Sequence, residues 1–183
     1  MKRQYTFLLI CTMFAFTTVN AQSNTPAAEK VMKTAYVKAA KENKKVLLIF
    51  HASWCGWCKK MDSSLNDVAC KKFFDDNFVI THLTVLENAG KKNLENPGGE
   101  ELMNKYNGKD QGLPYWAILD KRGKLLFDSQ IRKTQADGTI KGSNIGCPAS
   151  NEEVKAFMNM LRQTTTLKDA EFSVIAKRFL LNQ

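Results

Sequence analysis

The apolar positions of the chain change period several times, and each change marks an element. From Ala27 to Asn43, Val31, Ala35 and Ala39 share one helical face, with Met32 and Tyr36 beside them. Polar and charged residues fill the other face, so the spacing predicts an amphipathic helix with Pro26 just inside its first turn. Lys45 to His51 then reads Val-Leu-Leu-Ile-Phe without a polar break, which predicts a strand buried on both faces. A second helix is expected from Cys55 to about Asp67, with a restart through Cys70 to Asp75. Phe78 to Leu86 is rich in β-branched residues and predicts another strand. Glu87 to Gly99 is polar and contains Pro97-Gly98-Gly99, a loop of a length usually tied to function or insertion.

Beyond Glu100 to Tyr106, a short predicted helix, the pattern returns to strand at Tyr115 to Asp120. Lys121-Arg122-Gly123-Lys124 reads as a hairpin turn, and Leu125 to Ile131 as the returning strand. Thr134 to Ser150 reads as a second long polar loop. Glu152 to Arg162 places Val154, Phe157, Met158 and Leu161 on one helical side. Thr165 or Thr166 is expected to cap a last helix, with Leu167, Phe172, Ile175, Ala176, Phe179 and Leu180 turned to the core. Helices alternating with strands, plus one hairpin, imply an α/β fold: a central mixed sheet with helices on both faces. There is no internal repeat and no low-complexity segment.

The first residues follow a different logic. Lys2 and Arg3 precede an uncharged apolar stretch, Tyr5 to Val19, and Val19-Asn20-Ala21 supplies small residues at the spacing signal peptidase reads. Residues 1–21 are therefore expected to be a cleaved signal peptide, and 22–183 the working domain, with a helical extension from about residue 165. A membrane anchor is disfavoured, because a spanning helix needs about 20 apolar residues. A lipoprotein site at Cys11 is disfavoured by the bulky Ile10 before it. Cutting after Ala21 leaves 162 residues, enough for one domain with a real core, carrying 25 basic and 18 acidic side chains. The lysines are scattered (Lys41, Lys44, Lys45, Lys71, Lys72, Lys91, Lys92) and not interleaved with exposed aromatics, so the excess reads as a solvated basic surface without nucleic-acid binding. Contact with membrane is expected only through the leader before cleavage.

An exported chain meets an oxidising compartment. Four cysteines remain after cleavage: Cys55, Cys58, Cys70 and Cys147. They are too few to staple a domain of this size, and the close pair points to a redox site. Trp54-Cys55-Gly56-Trp57-Cys58-Lys59 follows the buried strand and opens the second helix. First-turn amides lack intrahelical partners and carry partial positive charge, so a thiolate at Cys55 is stabilised below its free pKa of about 8.5. Cys55 is expected to stay accessible and attack; Cys58, about one turn on, resolves the mixed disulfide. Gly56 leaves room for an incoming peptide, Trp54 offers an apolar wall, and Lys59 adds positive charge. Trp57 is a candidate wall of the substrate groove.

Haem attachment needs a histidine after the second cysteine, and Lys59 stands there. Zinc needs about four ligands, and only His51 and His82 are available beside the pair. No cofactor or metal is therefore expected. A purely structural disulfide is the remaining alternative. His51 reads as a packed histidine, Trp116 as core and Cys70 as a buried small apolar residue on a helix. For Cys147, a plain loop position, an auxiliary thiol and a pairing with Cys70 all stay open.

At this point a resemblance becomes specific. Val46 to Met61 resembles the active-site strand, turn and helix of the thioredoxin family. Gly112-Leu113-Pro114 resembles its cis-proline loop, Asp120 to Lys124 its following hairpin, and Ile145-Gly146 the approach to its last helix. The likeness runs in order over roughly Ala27 to Gln163 and is nearest to exported bacterial thioredoxin-like proteins of the disulfide-interchange type. It implies a thioredoxin fold with Cys55 as nucleophile and Cys58 as resolving thiol. It also implies a cis Leu113–Pro114 peptide, with the Leu113 backbone pairing with an extended substrate.

Two departures matter. Ile49 stands where cytoplasmic thioredoxins keep a buried acid, leaving Asp62, Glu87 or water as replacements for the proton acceptor. The dipeptide between the cysteines is Gly-Trp, neither the Gly-Pro of thioredoxins nor the histidine-containing pairs of strong oxidants and isomerases. Potentials in this fold span about −270 to −120 mV. The expected activity is thiol–disulfide exchange on cysteines of exported proteins in the periplasm or another extracytoplasmic space. Reduction is favoured, with a membrane thiol transporter as the kind of electron donor it would need. Oxidase or isomerase activity, and a binding module with a structural disulfide, are the alternatives.

Overall fold

β1 (Lys45–His51) lies at the centre of a sheet, with its five internal residues fully buried. In the computed structural model, which describes residues 25–183, it pairs in parallel with β2 (Phe78–Thr84) and antiparallel with β3 (Tyr115–Leu119). β3 pairs antiparallel with β4 (Leu125–Asp128), giving the order β2-β1-β3-β4. The expected signal peptide lies outside the described residues.

Successive strand residues point to opposite faces, and both faces are covered. Leu47 and Ile49 join Trp116 and Ile118 beneath α2 (Gly56–Leu65), α5 (Asn151–Thr164) and α6 (Asp169–Leu180). Val46, Leu48 and Phe50 join Ala117 and Leu119 against α1 (Ala28–Glu42) and α4 (Gly99–Lys105). α1 buries Ala28, Met32, Ala35 and Ala39, while Val31 and Tyr36, expected on or beside that face, are half-buried. α6 adds Phe172, Ile175 and Phe179 to the core, and the Phe179 ring lies 5.1 Å from that of Phe157.

Several local expectations need correction. The second helix ends at Leu65, and α3 runs Lys71–Asn77, so Cys70 sits just before a helix and not on one. Its neighbour Val68 is exposed, while Cys70 itself is fully buried. The last helix starts at Asp169, not at the threonines. Thr165 Oγ1 is turned back to Leu161, and the Lys168 N–H is satisfied by the Glu171 carboxylate. Residues Ala89–Leu94 of the first long loop form 3-10 turns. Asn96 fixes that loop by accepting from Thr84 N and donating to the Pro26 carbonyl.

The larger correction concerns the second long loop. The returning strand leaves the sheet after Asp128, and β5 (Gln130–Thr134) pairs with β6 (Ile140–Asn144) in a separate two-stranded ribbon. The break is built by buried Asp128 and Ser129. Asp128 accepts from Gln130 N, Asn107 and Arg132, and Ser129 N donates to the Trp116 carbonyl. Asp137-Gly138 makes the hairpin turn, with Gly138 at φ +82 and Asp137 accepting from Thr139 N. An Asp-Gly step is the sequence signal for such a turn. Among the described residues no helix is long and apolar enough to cross a membrane.

Candidate active site

The chain leaves the buried end of β1 through Ala52-Ser53-Trp54 and turns into α2 at Cys55. Cys55 N donates to the Ala52 carbonyl, which tightens the turn. Cys55 is extended (φ −79, ψ 102) and occupies the N-cap of α2. Its Sγ accepts from the Cys58 N–H at 3.1 Å, so sulfur takes the place that a Ser or Asp oxygen usually holds. Cys55 and Cys58 are joined as a disulfide, with Cα atoms 5.3 Å apart.

The expected accessibility of Cys55 is not met in this oxidised form. Cys55 is 2% exposed and Cys58 3%. Both pack with Ala52, and the partly buried Leu113 packs against this cluster. Trp54 and Trp57 flank the pair at 51% and 47% exposure. Trp54 is pinned by Nε1 donating to the Leu86 carbonyl. A side chain added at Gly56 would meet nothing within 4 Å, so the surface over the turn is open. Lys59 is exposed, and it is Lys60 that lies over the Trp57 ring, 4.3 Å from its centroid, while donating to the Asn182 carbonyl.

The Leu113–Pro114 peptide is cis. It lines a cleft of about 400 Å³ with Trp57, Asn144, Ile145 and Cys147. Among the described residues, neither the N–H nor the carbonyl of Leu113 has a hydrogen-bond partner. The structure therefore gathers Trp57, Leu113, Pro114 and the cysteine pair at one end of the sheet. Lys59 is exposed and is not among the residues lining the cleft.

The sequence matches the thioredoxin-like domain family over residues 32–139, from within α1 to the β5–β6 turn. The chain belongs to that family. A disulphide isomerase from Xylella fastidiosa Temecula1 is 24% identical, with 60% of this chain and 77% of that chain covered and a TM-score of 0.46. The C-terminal domain of Neisseria meningitidis DsbD is 23% identical, over 57% of this chain and 84% of that chain, TM-score 0.41. A Thermus thermophilus thioredoxin is 19% identical, over 78% and 87%, TM-score 0.42. No curated protein matches the chain. Family and C-x-x-C disulfide together make this thioredoxin-like protein a thiol–disulfide oxidoreductase.

Within the thioredoxin-like domain, Ile49 is buried in the apolar cluster with Met61, Leu65 and Trp116, and the acids of this region lie elsewhere. Glu87 is buried and accepts from Ser53 N and Ser53 Oγ, which ties the active-site turn to the end of β2. Burial raises the Glu87 carboxyl, but those two donors, with Lys91 and His51, hold it below the ordinary carboxylate range. Asp62, one turn beyond Cys58 on α2, meets His82 Nε2 at 2.8 Å. The His82 ring stands edge-on to His51, 5.2 Å away, and His51 Nε2 meets Thr84 Oγ1 at 3.2 Å. Burial pushes His51 below its ordinary value, with His82 acting in the same direction and Asp62 and Glu87 opposing. Among the described residues no three His, Cys, Asp or Glu side chains converge as a metal site.

The other two thiols are free. Burial pushes Cys147 up to about 12 and also raises Cys70. Cys147 Sγ accepts from Asn182 Nδ2, whose side chain also bonds Ser64. Trp116 is core, with its indole N–H donating to the Gly146 carbonyl. Three site-building residues carry no signal in local sequence pattern: Ser53, Asn144 and Asn182. Each has at least one partner 30 or more positions away.

Proposed function

We propose that this protein reduces disulfides of exported proteins in an extracytoplasmic compartment, with Cys55 as nucleophile and Cys58 as resolving thiol. The observation that carries the reading is the Cys55 sulfur at the N-cap of α2, accepting the Cys58 N–H. In the reduced protein that donor and the helix N-terminus favour a thiolate at Cys55. The thiolate attacks one sulfur of the substrate disulfide, and the other substrate sulfur leaves as a thiolate. Cys58, once deprotonated, attacks the Cys55 sulfur of the mixed disulfide. The Cys55–Cys58 disulfide forms and the second substrate thiolate departs. The protein loses two electrons and the substrate gains them, so an external thiol donor must restore the dithiol; a membrane thiol transporter is the class that fits.

Leu113 supports the substrate role, since it packs against the Ala52, Cys55 and Cys58 cluster and its backbone groups have no partner among the described residues. Trp54, Trp57, Gly56 and Pro114 complete the proposed contact surface, and Lys59 adds charge beside it. The Gly-Trp dipeptide lacks the histidine of strong oxidants, which supports the reductive direction. The basic, apolar and small-residue pattern of positions 1–21 supports export. The same pattern supports a working domain from residue 22, with the helix beyond about 165 as an addition to the minimal fold.

Replacing Cys55 with Ser should abolish insulin reduction, whereas Cys58→Ser should accumulate a mixed disulfide on Cys55. Full activity in the Cys55 variant would refute the assignment. A second reading, a binding module with a structural disulfide, is favoured by the deep burial of both sulfurs.

A further inference from the structure

Asn144, the last residue of β6, has no part in the mechanism above, yet every hydrogen-bonding position of its side chain is filled. Nδ2 donates to the Gly112 carbonyl at 2.7 Å and the Pro114 carbonyl at 3.0 Å. Oδ1 accepts from Ser129 Oγ at 2.7 Å and Gly146 N at 3.0 Å. A primary amide offers two N–H donors and two lone pairs, so nothing is left over. The two carbonyls it holds are those on either side of Leu113. The two donors it accepts from belong to the β4–β5 junction and to the corner that leads to α5.

We propose that Asn144 is a positioning residue for substrate, through which the β5–β6 hairpin fixes the Gly112–Pro114 segment. Two consequences favour binding. The segment is ordered before substrate arrives, so that ordering entropy is not subtracted from affinity. The flanking carbonyls are also already engaged, which leaves the Leu113 N–H and carbonyl as the free pair and sets one register for an extended peptide. The proposal rests on the oxidoreductase reading of the site and deepens it. It assigns to the hairpin a role in macromolecular substrate binding, separate from the chemistry at sulfur.

Asn144→Asp tests it with nearly unchanged shape, because a carboxylate keeps the acceptors, loses both donors and faces two carbonyl oxygens. Asn144→Ala removes all four bonds. Four quantities separate the possibilities: kcat and KM for insulin, the rate with bis(2-hydroxyethyl) disulfide, and the midpoint potential of the Cys55–Cys58 pair. The expected result is a KM for insulin raised about tenfold, equivalent to about 1.4 kcal/mol. The small-disulfide rate and the potential should stay within about twofold of wild type, since a small disulfide does not use the Leu113 backbone. An unchanged KM in a folded variant would overturn the proposal. So would a parallel loss with both substrates, which would tie Asn144 to the cysteine pair itself. If both variants fail to fold, Ser129→Ala removes one bond to Oδ1, and a KM for insulin no higher than wild type would equally contradict the proposal. A wild-type protein inert toward both disulfides would instead bring down the oxidoreductase reading, a failure distinct from that of Asn144.

Discussion

His51 sits at the end of β1 between Thr84 and His82, where solvent reaches it only in part. Its folded pKa is lowered, chiefly by burial, so the unfolded chain binds the proton more readily. Stability from this residue is therefore present above the unfolded value of about 6.5 and is lost as pH falls below it through the folded value. Thermal unfolding should show a melting temperature that declines between pH 7 and pH 5, and His51→Leu should flatten that part of the profile. An unchanged slope in the variant would place the pH dependence elsewhere. Single residues were unevenly legible in the sequence. The spacing of Cys55 and Cys58 and the step Leu113-Pro114 are local patterns, and they stand together in the structure. Glu87 was only one of three candidates, with Asp62 and water, to replace the missing proton acceptor, because nothing local shows that its carboxylate meets Ser53, 34 positions away. Asn144 and Asn182 gave no signal at all, because an amide becomes a clamp only when distant carbonyls arrive around it.

At the scale of elements, periodicity worked where one face or both faces are buried. α1, β1, β3 and α5 lie close to their predicted bounds, since each must hide a stripe or a run of apolar side chains. β6 was missed for the same physical reason. Ile140–Asn144 is mostly exposed, so no burial pattern had been written into it, and only the Asp137-Gly138 turn marks the hairpin. α6 was legible as a helix because Phe172, Ile175 and Phe179 fall on one side. Phe179 is fully buried among Phe74 and Phe157. Phe179→Ala should cost about 3–5 kcal/mol in urea unfolding, the range for a large aromatic removed from a packed core. Val174 on the outer side should tolerate Ala within about 0.5 kcal/mol. Equal effects at the two positions would mean that α6 is not docked as described. At the start of α5, Ser150 accepts from Glu153 N while the Glu153 carboxylate accepts from Ser150 N. Ser150→Ala should lose about 1 kcal/mol in the same experiment, and a neutral result would show that this cap adds nothing.

At the scale of the whole molecule, the described residues form a four-stranded mixed sheet with a helical layer on each face and a separate two-stranded ribbon, and the chemistry is concentrated at one end. There β1 delivers Cys55 to the start of α2, and the segment before β3 packs Leu113 against the cysteine pair and Ala52. The family match covers the four strands of the sheet and ends in the β5–β6 turn, and β6, α5 and α6 beyond it complete the groove wall and the core. Burial of both sulfurs is what an inert structural disulfide would also display, so the central claim turns on reactivity. The reduction potential of the Cys55–Cys58 pair, measured against thiol buffers together with the thiol pKa of Cys55, decides between them. The account predicts a potential within about −270 to −120 mV and a Cys55 thiol titrating below the free value of about 8.5. A potential well below about −300 mV with an unreactive thiol would contradict it and leave the pair a structural bridge.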